Sequence, residues 1–468
     1  MKPKILWPKR PETFYSSSKS LADAATASPA STQHAILQPP APTQKKAPLA
    51  DLPTKILLRS LFLTSAMASP LLKPSIAVLK YVVDSKSPML SPSKNPIMNY
   101  ILRATIYNHF CAGVNETEVR KTVREMKGLG FKGVILGYAR ESVAKIDAAG
   151  SHVEEWKNAQ AIADRAVDEW KEGNLRTLMM VGKGDYINIK FTGAGPAAVE
   201  ALARGDPVPP PRIKQAITEI CEATAAQDSR FWIDAEQQVF QPAIDSWTID
   251  LMRQFNRNGK VVVINTVQAY LKSSAENIHR HLVLAGKEGW ALGIKLVRGA
   301  YIAHDLRDRI HDTKADTDRN YNHIVKSLLT RQSPFREVQD TKFPDARLFV
   351  ATHNAESVRR AYSISRQRIL SGLPTIPLEI GQLQGMADEV SCGLLAECRP
   401  DTEDQVKKGS MATSVFPKVF KCLAWGSTEE CLHFLLRRAV ENQSAVVRTH
   451  DTAAALRGEV WRRFGWRW

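Results

Sequence analysis

Beyond Ile101 the chain alternates between short apolar, β-branched runs and longer stretches in which apolar positions recur every three or four residues. The short runs are GVILGY (Gly133 to Tyr138), YINIKFT (Tyr186 to Thr192), FWIDAE (Phe231 to Glu236), VVVINT (Val261 to Thr266), IKLVRGA (Ile294 to Ala300), LFVAT (Leu348 to Thr352), LEIGQLQG (Leu378 to Gly385) and VFKCLAW (Val419 to Trp425). Runs of this length and content suit strands covered on both faces, as in a parallel sheet. Thr248 to Asn256, Ala275 to Gly286, Arg319 to Leu329 and Ala355 to Ile369 carry the helical period between them. About eight strand and helix units in succession predict an α/β fold, a (β/α)8 TIM-type barrel. The connections Arg140 to Lys171 and Gly205 to Pro211 are long enough to be insertions or lids, and the sequence assigns them no role.

The first hundred residues read differently. Met1 to Leu49 is rich in Ser, Ala, Pro and Lys, with Glu12 and Asp23 its only acids, which cannot build a core. Residues 1–50 are therefore expected to form a disordered N-terminal extension, either a plain one or a mitochondrial targeting segment. Residues 51–100 are expected to be helical. Leu52 to Val83 is apolar but broken by Lys55, Arg59, Lys73, Lys80, Pro70 and Pro74, too short a run for a spanning helix. It predicts helices that pack on the domain or lie on a membrane surface. The barrel is expected over 101–449 and a basic aromatic tail over 450–468. EVWRRFGWRW (Glu459 to Trp468) suits a membrane interface or a packed end.

Composition narrows the partners. An apolar content of 44% suffices for a full core, and 64 basic against 48 acidic residues give a formal charge of +16. No RNA- or DNA-reading motif accompanies that charge, so no nucleic-acid partner is expected; an organellar address, an anionic cofactor and a membrane surface rank higher. Six cysteines without a C-x-x-C pair suit a reducing compartment and argue against a structural zinc site. No metal is expected. One motif competes with the barrel: GAGPAA (Gly193 to Ala198) fits a G-x-G-x-x-A dinucleotide fingerprint, although Pro196 interrupts its turn.

The stretch LGIKLVRGAYIAHD (Leu292 to Asp305) reads as a strand ending on a small pair, Gly299 and Ala300, where backbone can approach a ligand closely. KLVRGAY within it resembles the signature strand of the proline dehydrogenase (proline oxidase) family, in its eukaryotic mitochondrial monofunctional type. Further matches follow in order: DAE with QPAID (Asp234 to Asp245), NTVQAYLK (Asn265 to Lys272), ATHNAESV (Ala351 to Val358), GQLQGMADEVS (Gly381 to Ser391) and LLRRAVEN (Leu435 to Asn442). The resemblance implies a (β/α)8 barrel holding FAD. It implies oxidation of L-proline to 1-pyrroline-5-carboxylate, with electrons passed to a membrane quinone on the matrix side of the mitochondrial inner membrane. Peripheral membrane association is expected with it.

Residue types can be weighed against that chemistry. Arg437 and Arg438 are adjacent on the last predicted helix, with Glu441 one turn on to brace guanidiniums that fork a carboxylate. Ser427 and Glu430 form a capping box ahead of it. Lys190 belongs to the polar set Asn188, Lys190, Thr192 that faces into a barrel when Ile187, Ile189 and Phe191 face out. Lys190 is thus a candidate cation near the substrate. The resemblance places Asp234 and Lys295 in the catalytic group, and Leu383 with Cys422 and Phe434 in the substrate pocket. It assigns Ala235, Gln268, Arg298, Gly299, Ala300, Thr352 and His353 to the flavin.

Two positions depart from the family pattern. Cys422 and Phe434 stand where tyrosines are usual; the first loses a ring and the second a hydroxyl. A hydroxylated ring such as hydroxyproline is the enzyme alternative, and a barrel that binds flavin or amino acid without turnover is the alternative from another class.

Overall fold

The computed structural model describes residues 47–465 apart from 70–71, 86, 140–152, 303–304, 337–341, 399–415, 433, 438 and 440–445. Eight parallel strands close into a barrel: β2 (Gly133–Tyr138), β3 (Tyr186–Ile189), β4 (Arg230–Ile233), β5 (Val263–Gln268), β6 (Leu292–Val297), β7 (Ala346–Ala351), β8 (Leu378–Leu383) and β9 (Lys418–Trp425), with β9 pairing both β8 and β2. A short strand not foreseen in the sequence, β1 (Cys111–Gly113), adds to the upper end of β9. Its three residues are too few for a pattern to register.

Burial explains why the strands were legible. One face of each strand packs outward on helices such as Gln241–Phe255, Ser274–Glu288, Lys314–Leu329 and Ala355–Leu370. The other face fills the barrel with Ile135, Tyr186, Trp232, Ile264, Phe349 and Phe420. The aromatic rings meet edge to face or tilted, with centroids 4.9 Å apart for Trp232 and Phe349 and 5.3 Å for Tyr186 and Phe420. At the N-terminal mouth Glu379 is 1% exposed and is held by Arg347 at 2.7 Å and by the Tyr186 hydroxyl. This layer seals the end of a barrel where stability, not chemistry, is expected to reside.

Two strands stop earlier than the apolar pattern suggests. After Ile189 the chain enters a 3-10 turn, Phe191–Ala194, and after Ile233 it leaves the sheet. The Thr192 amide donates to the Glu236 carboxylate (3.2 Å) instead of continuing a ladder. Asn256 shifts the start of β5 in the same way, because its Oδ1 accepts from the amides of Val262 and Val263 (2.8 and 2.9 Å).

The dinucleotide-like GAGPAA lies in this β3 connection. Gly195 has φ 98°, and a Cβ there would sit 2.8 Å from that of Ala166 on the long helix Val153–Met179. Trp170 of that helix donates its Nε1–H to the Lys190 carbonyl (3.1 Å). The glycines admit a packed helix, and the closed barrel excludes the Rossmann alternative. The same helix occupies 153–171 of the stretch read as an insertion or lid, while 140–152 lies outside the described residues; Gly205 to Pro211 is a turn into helix Pro211–Ala226.

Residues 1–46 of the expected extension also lie outside the described residues. Leu49, read as part of that extension, is instead 3% exposed and clusters with Leu52, Leu57 and Leu456. The reason is a clasp: Arg463, near the end of helix Val446–Phe464, donates to the carbonyls of Leu49, Ala50 and Leu52 at 2.7 to 3.1 Å. The C-terminal stretch is thus a packed helix through Phe464. Helices Thr54–Met67 and Leu72–Asp84 occupy the apolar N-terminal stretch, and no helix among the described residues is long and apolar enough to cross a membrane.

Candidate active site

The C-terminal ends of β3, β4, β5 and β6 bring Asn188, Asp234, Thr266 and Lys295 together above the aromatic layer. Lys295 is centred 4.0 Å from the middle of the Trp232 ring and donates to Asp234 Oδ1 at 2.7 Å. Asn188 Nδ2 donates to the other oxygen at 3.1 Å. Burial alone pushes the Asp234 carboxyl up, but the charges of Lys295 and Lys190 and these hydrogen bonds outweigh it. The net position is below the usual carboxylate range. Asp234 is therefore an anion at neutral pH.

Two residues on, Glu236 behaves in the opposite sense. It is 5% exposed, accepts from the Thr192 hydroxyl and amide, and burial holds its carboxyl above the usual range despite Lys190. Tyr301 lies within charge range of Lys190, Glu236, Arg437 and Asp234, and burial foremost raises its phenol. These groups come from four loops at the C-terminal end of the barrel. The sequence reading gave Glu236 and Tyr301 no role, although both stand inside the motifs it quoted; only the fold shows that they face Lys190.

The Arg437 backbone is helical and its side chain half-buried. Arg438 and Glu441 lie outside the described residues. The capping box ahead of them is formed, Ser427 N and Oγ donating to Glu430 Oε2 at 2.7 and 2.8 Å. Leu383 pairs in register with Cys422 and packs in the same apolar cluster as Phe434. Cys422 itself packs against the barrel's interior cluster.

A second group of residues forms a cationic seat at the same end of the barrel. Arg298 follows β6 and donates to Asp318 (2.7 Å), Thr352 Oγ1 (2.6 Å) and Ser357 Oγ (3.0 Å), with its guanidinium 4.4 Å from the Tyr321 ring centre. Helix capping sets these partners. Thr313 and Asp316 form a capping box that starts helix Lys314–Leu329, and Asn354 caps helix Ala355–Leu370 by accepting from Ser357 N at 2.9 Å. These bonds use three of the five guanidinium N–H groups. Gln268 ties the neighbouring loops: Nε2 donates to the Glu236 carbonyl (3.0 Å) and Oε1 accepts from Ala300 N (3.3 Å). His353 Nε2 accepts from Leu383 N (3.2 Å), which puts the proton of a neutral ring on Nδ1. Ala235 is buried next to Asp234.

The expected cofactor fits these residues. Thr266 Oγ1, Asn188 Oδ1 and Trp232 Nε1 are buried and have no hydrogen-bond partner among the described residues. They cluster at Lys295, since Thr266 and Lys295 are paired in register. A hydroxyl, an amide oxygen and an indole N–H suit the carbonyls and imide of a heteroaromatic ring, and buried polar atoms of this kind need partners.

Comparison with known proteins shows the family. The family model described as proline dehydrogenase matches residues 119–451. The probable mitochondrial proline dehydrogenase of Schizosaccharomyces pombe is 27% identical over 414 residues, covering 78% of this chain and 81% of that protein. Rattus norvegicus hydroxyproline dehydrogenase is 28% identical over 407 residues, covering 78% and 82%. Homo sapiens proline dehydrogenase 1, mitochondrial, is 28% identical over 336 residues, covering 69% and 51%. Among solved structures, proline utilization A (PutA) from Bdellovibrio bacteriovorus inactivated by N-propargylglycine superimposes with a TM-score of 0.57 at 15% identity. The match covers 83% of this chain and 38% of that one, a likeness of fold.

Proposed function

The chain belongs to the proline dehydrogenase family of oxidoreductases, and we propose that it oxidises L-proline to 1-pyrroline-5-carboxylate with FAD, delivering electrons to a membrane quinone in mitochondria. The observation that carries the reading is the Lys295–Asp234 pair on Trp232, with Lys190, Glu236, Tyr301 and Arg437 within charge range of one another around it.

In this reading Arg437, with Arg438 beside it in sequence, takes the substrate carboxylate, and Lys190 adds a second cation near it. Oxidation removes a hydride from C5 and a proton from the ring nitrogen, leaving a C5=N double bond. Bound FAD supplies the two-electron acceptor for that hydride. The protein's part is to hold the amine neutral and the ring in place. With Lys295 balanced by Asp234 and Arg437 by the substrate carboxylate, the charge of Lys190 disfavours a further cation, so the ammonium form of the substrate loses its proton more readily here than in water. Asp234 remains ionised and keeps Lys295 fixed over Trp232. Arg298, Thr352, Gln268, His353, Ala235 and the Gly299–Ala300 turn would hold the flavin, with Thr266, Asn188 and Trp232 at its polar edge.

Hydroxyproline is the second reading. Cys422 stands beside Leu383 in register, and in this reading the ring it lacks leaves room for a substrate hydroxyl. Relatives named for proline and for hydroxyproline match this chain at similar identity. The assembled ion pair favours turnover over a barrel that only binds ligand. Mitochondrial location draws on the names of the relatives and the acid-poor N-terminal sequence, and the matrix side of the inner membrane follows from the proposed quinone acceptor. The domain plan follows: residues ahead of the Leu49 clasp as targeting segment, two helices, then barrel and C-terminal helix.

Anaerobic mixing of the flavin-loaded protein with L-proline, and separately with trans-4-hydroxy-L-proline, tests the assignment. Faster bleaching by proline is expected; faster bleaching by hydroxyproline moves the substrate, and bleaching by neither overturns both readings.

A further inference from the structure

Asp305 is 9% exposed and lies in the loop after β6, four residues beyond Tyr301. Its Oδ1 accepts from the amide of Gln238 at 2.8 Å, in the loop after β4 that carries Asp234 and Glu236. Its Oδ2 accepts from the hydroxyl of Tyr270, in the loop after β5. One carboxylate thus joins three neighbouring βα loops. Its own amide donates to the Tyr301 carbonyl at 2.9 Å, which ties Asp305 to the residue that bears the phenol.

Tyr270 extends the link to the other end of the same loop. Its amide donates to the Arg298 carbonyl at 2.7 Å, and its ring lies flush against Gly299, where φ is 143° and a Cβ would sit 2.3 Å from the ring carbons. The His311 amide donates to the Tyr270 carbonyl at 2.8 Å, and Leu271 pairs with Ile310. Burial, and then the hydrogen bond to Asp305, raises the Tyr270 phenol, so the hydroxyl stays a donor at any physiological pH.

We infer that Asp305 is a positioning residue for the oxidation: by holding Gln238 and Tyr270 together it fixes the β6 loop so that Tyr301 faces Asp234 and Glu236 and the Gly299–Ala300 turn faces the cofactor seat. The inference rests on the functional reading above. Its physical basis is hydrogen bonding: without the carboxylate, the half-buried Gln238 amide and the buried Tyr270 hydroxyl both lose their acceptor. The loop between Gly299 and Asp312 carries exposed Arg307 and Arg309, so release of the clasp leaves two trypsin sites freer to enter a protease.

The test uses the full flavin-loaded chain and three variants. Asp305→Ala removes both acceptor atoms, Tyr270→Phe removes one donor while keeping the ring under Gly299, and Asp305→Asn keeps an oxygen for Gln238 and an N–H for the Tyr270 oxygen. Trypsin cleavage after Arg307 and Arg309 is expected to be at least tenfold faster in the first two. The proline-driven flavin reduction rate is expected to fall at least tenfold, with the substrate concentration for half-maximal rate moving less than threefold. Asp305→Asn is expected within threefold of wild type on both readouts. Either readout within twofold of wild type for Asp305→Ala and Tyr270→Phe overturns the inference, and Tyr270→Phe decides where Asp305→Ala does not fold. Absence of reduction by proline in the wild type is a failure of the functional reading instead, and cleavage alone then judges the clasp.

Discussion

The ammonium of Lys295 sits between the Asp234 carboxylate, 2.7 Å away, and the face of the Trp232 ring, 4.0 Å from its centre. Both side chains of the pair are largely buried, at 11% and 16% exposure. Removing one partner of such a pair strands the other in a poorly solvated place, at a cost of about 3–5 kcal/mol, whereas replacing both with apolar groups is far milder. Lys190 lies close enough to share the Asp234 charge, so the low end of that range applies. Lys295→Met is therefore expected to lose about 3 kcal/mol in urea unfolding at pH 7, and Lys295→Met with Asp234→Leu to regain part of it. A double variant no more stable than the single would mean that Lys190 alone satisfies Asp234.

Asp234 and Glu236 should give opposite slopes of stability against pH. The Asp234 carboxyl is depressed in the folded state, so its contribution is present above the unfolded value of about 3.9 and is lost as pH falls through the folded value. Glu236 is raised, so its contribution is full below the unfolded value of about 4.3 and is lost as pH rises through the folded one. Unfolding midpoints of wild type minus Asp234→Asn are expected to shrink on acidification toward pH 3. Wild type minus Glu236→Gln should grow as pH falls from 7 to 5. A flat second difference would place the Glu236 carboxyl at its ordinary value.

The barrel was legible because parallel strands covered on both faces read as unbroken apolar runs, and each of the runs around Ile135, Ile187, Phe231, Ile264, Leu296, Val350, Ile380 and Leu423 became a strand. Strand ends were not, because they are decided by side chains from elsewhere: Glu236 takes the Thr192 amide, and Asn256 takes those of Val262 and Val263. The inward set at Asn188 followed from alternation, which brings it to Asp234. Glu236 and Tyr301 escaped notice for a different reason. Nothing local distinguishes a carboxylate that will be buried against Thr192, or a tyrosine that will face Lys190 and Arg437, from one at the surface. The fingerprint at Gly193 misled in the converse way, since glycine spacing that admits a pyrophosphate also admits the helix carrying Ala166 and Trp170.

Arg298 gives a prediction about the cofactor seat. Its fixed fork spans Asp318, Thr352 and Ser357, which belong to two helices and the end of β7. A lysine at this position can reach one of the three and cannot lie flat on Tyr321. Arg298→Lys is expected to weaken flavin retention at least tenfold, read as free flavin after gel filtration and as flavin affinity of the stripped protein. Far-ultraviolet circular dichroism should be unchanged. Full retention of flavin would reduce Arg298 to a brace between the two helices.

Cys422 offers the sharpest test of substrate choice. It pairs in register with Leu383 on one side and with Ile135 on the other, at the edge of the layer that holds Phe420. A tyrosine there adds a ring and a hydroxyl to the wall of the pocket, and one such change in ring space is worth about 1–3 kcal/mol in discrimination between substrates that differ by a small group. Cys422→Tyr is therefore expected to raise the kcat/KM ratio of proline over trans-4-hydroxyproline by about 10-fold or more. The effect should fall mainly on hydroxyproline, because the added bulk excludes its hydroxyl while proline still fits. An equal loss for both substrates would mean that the new ring obstructs the barrel mouth, and no change in the ratio would show that neighbours such as Leu383 already fill the space that Cys422 leaves.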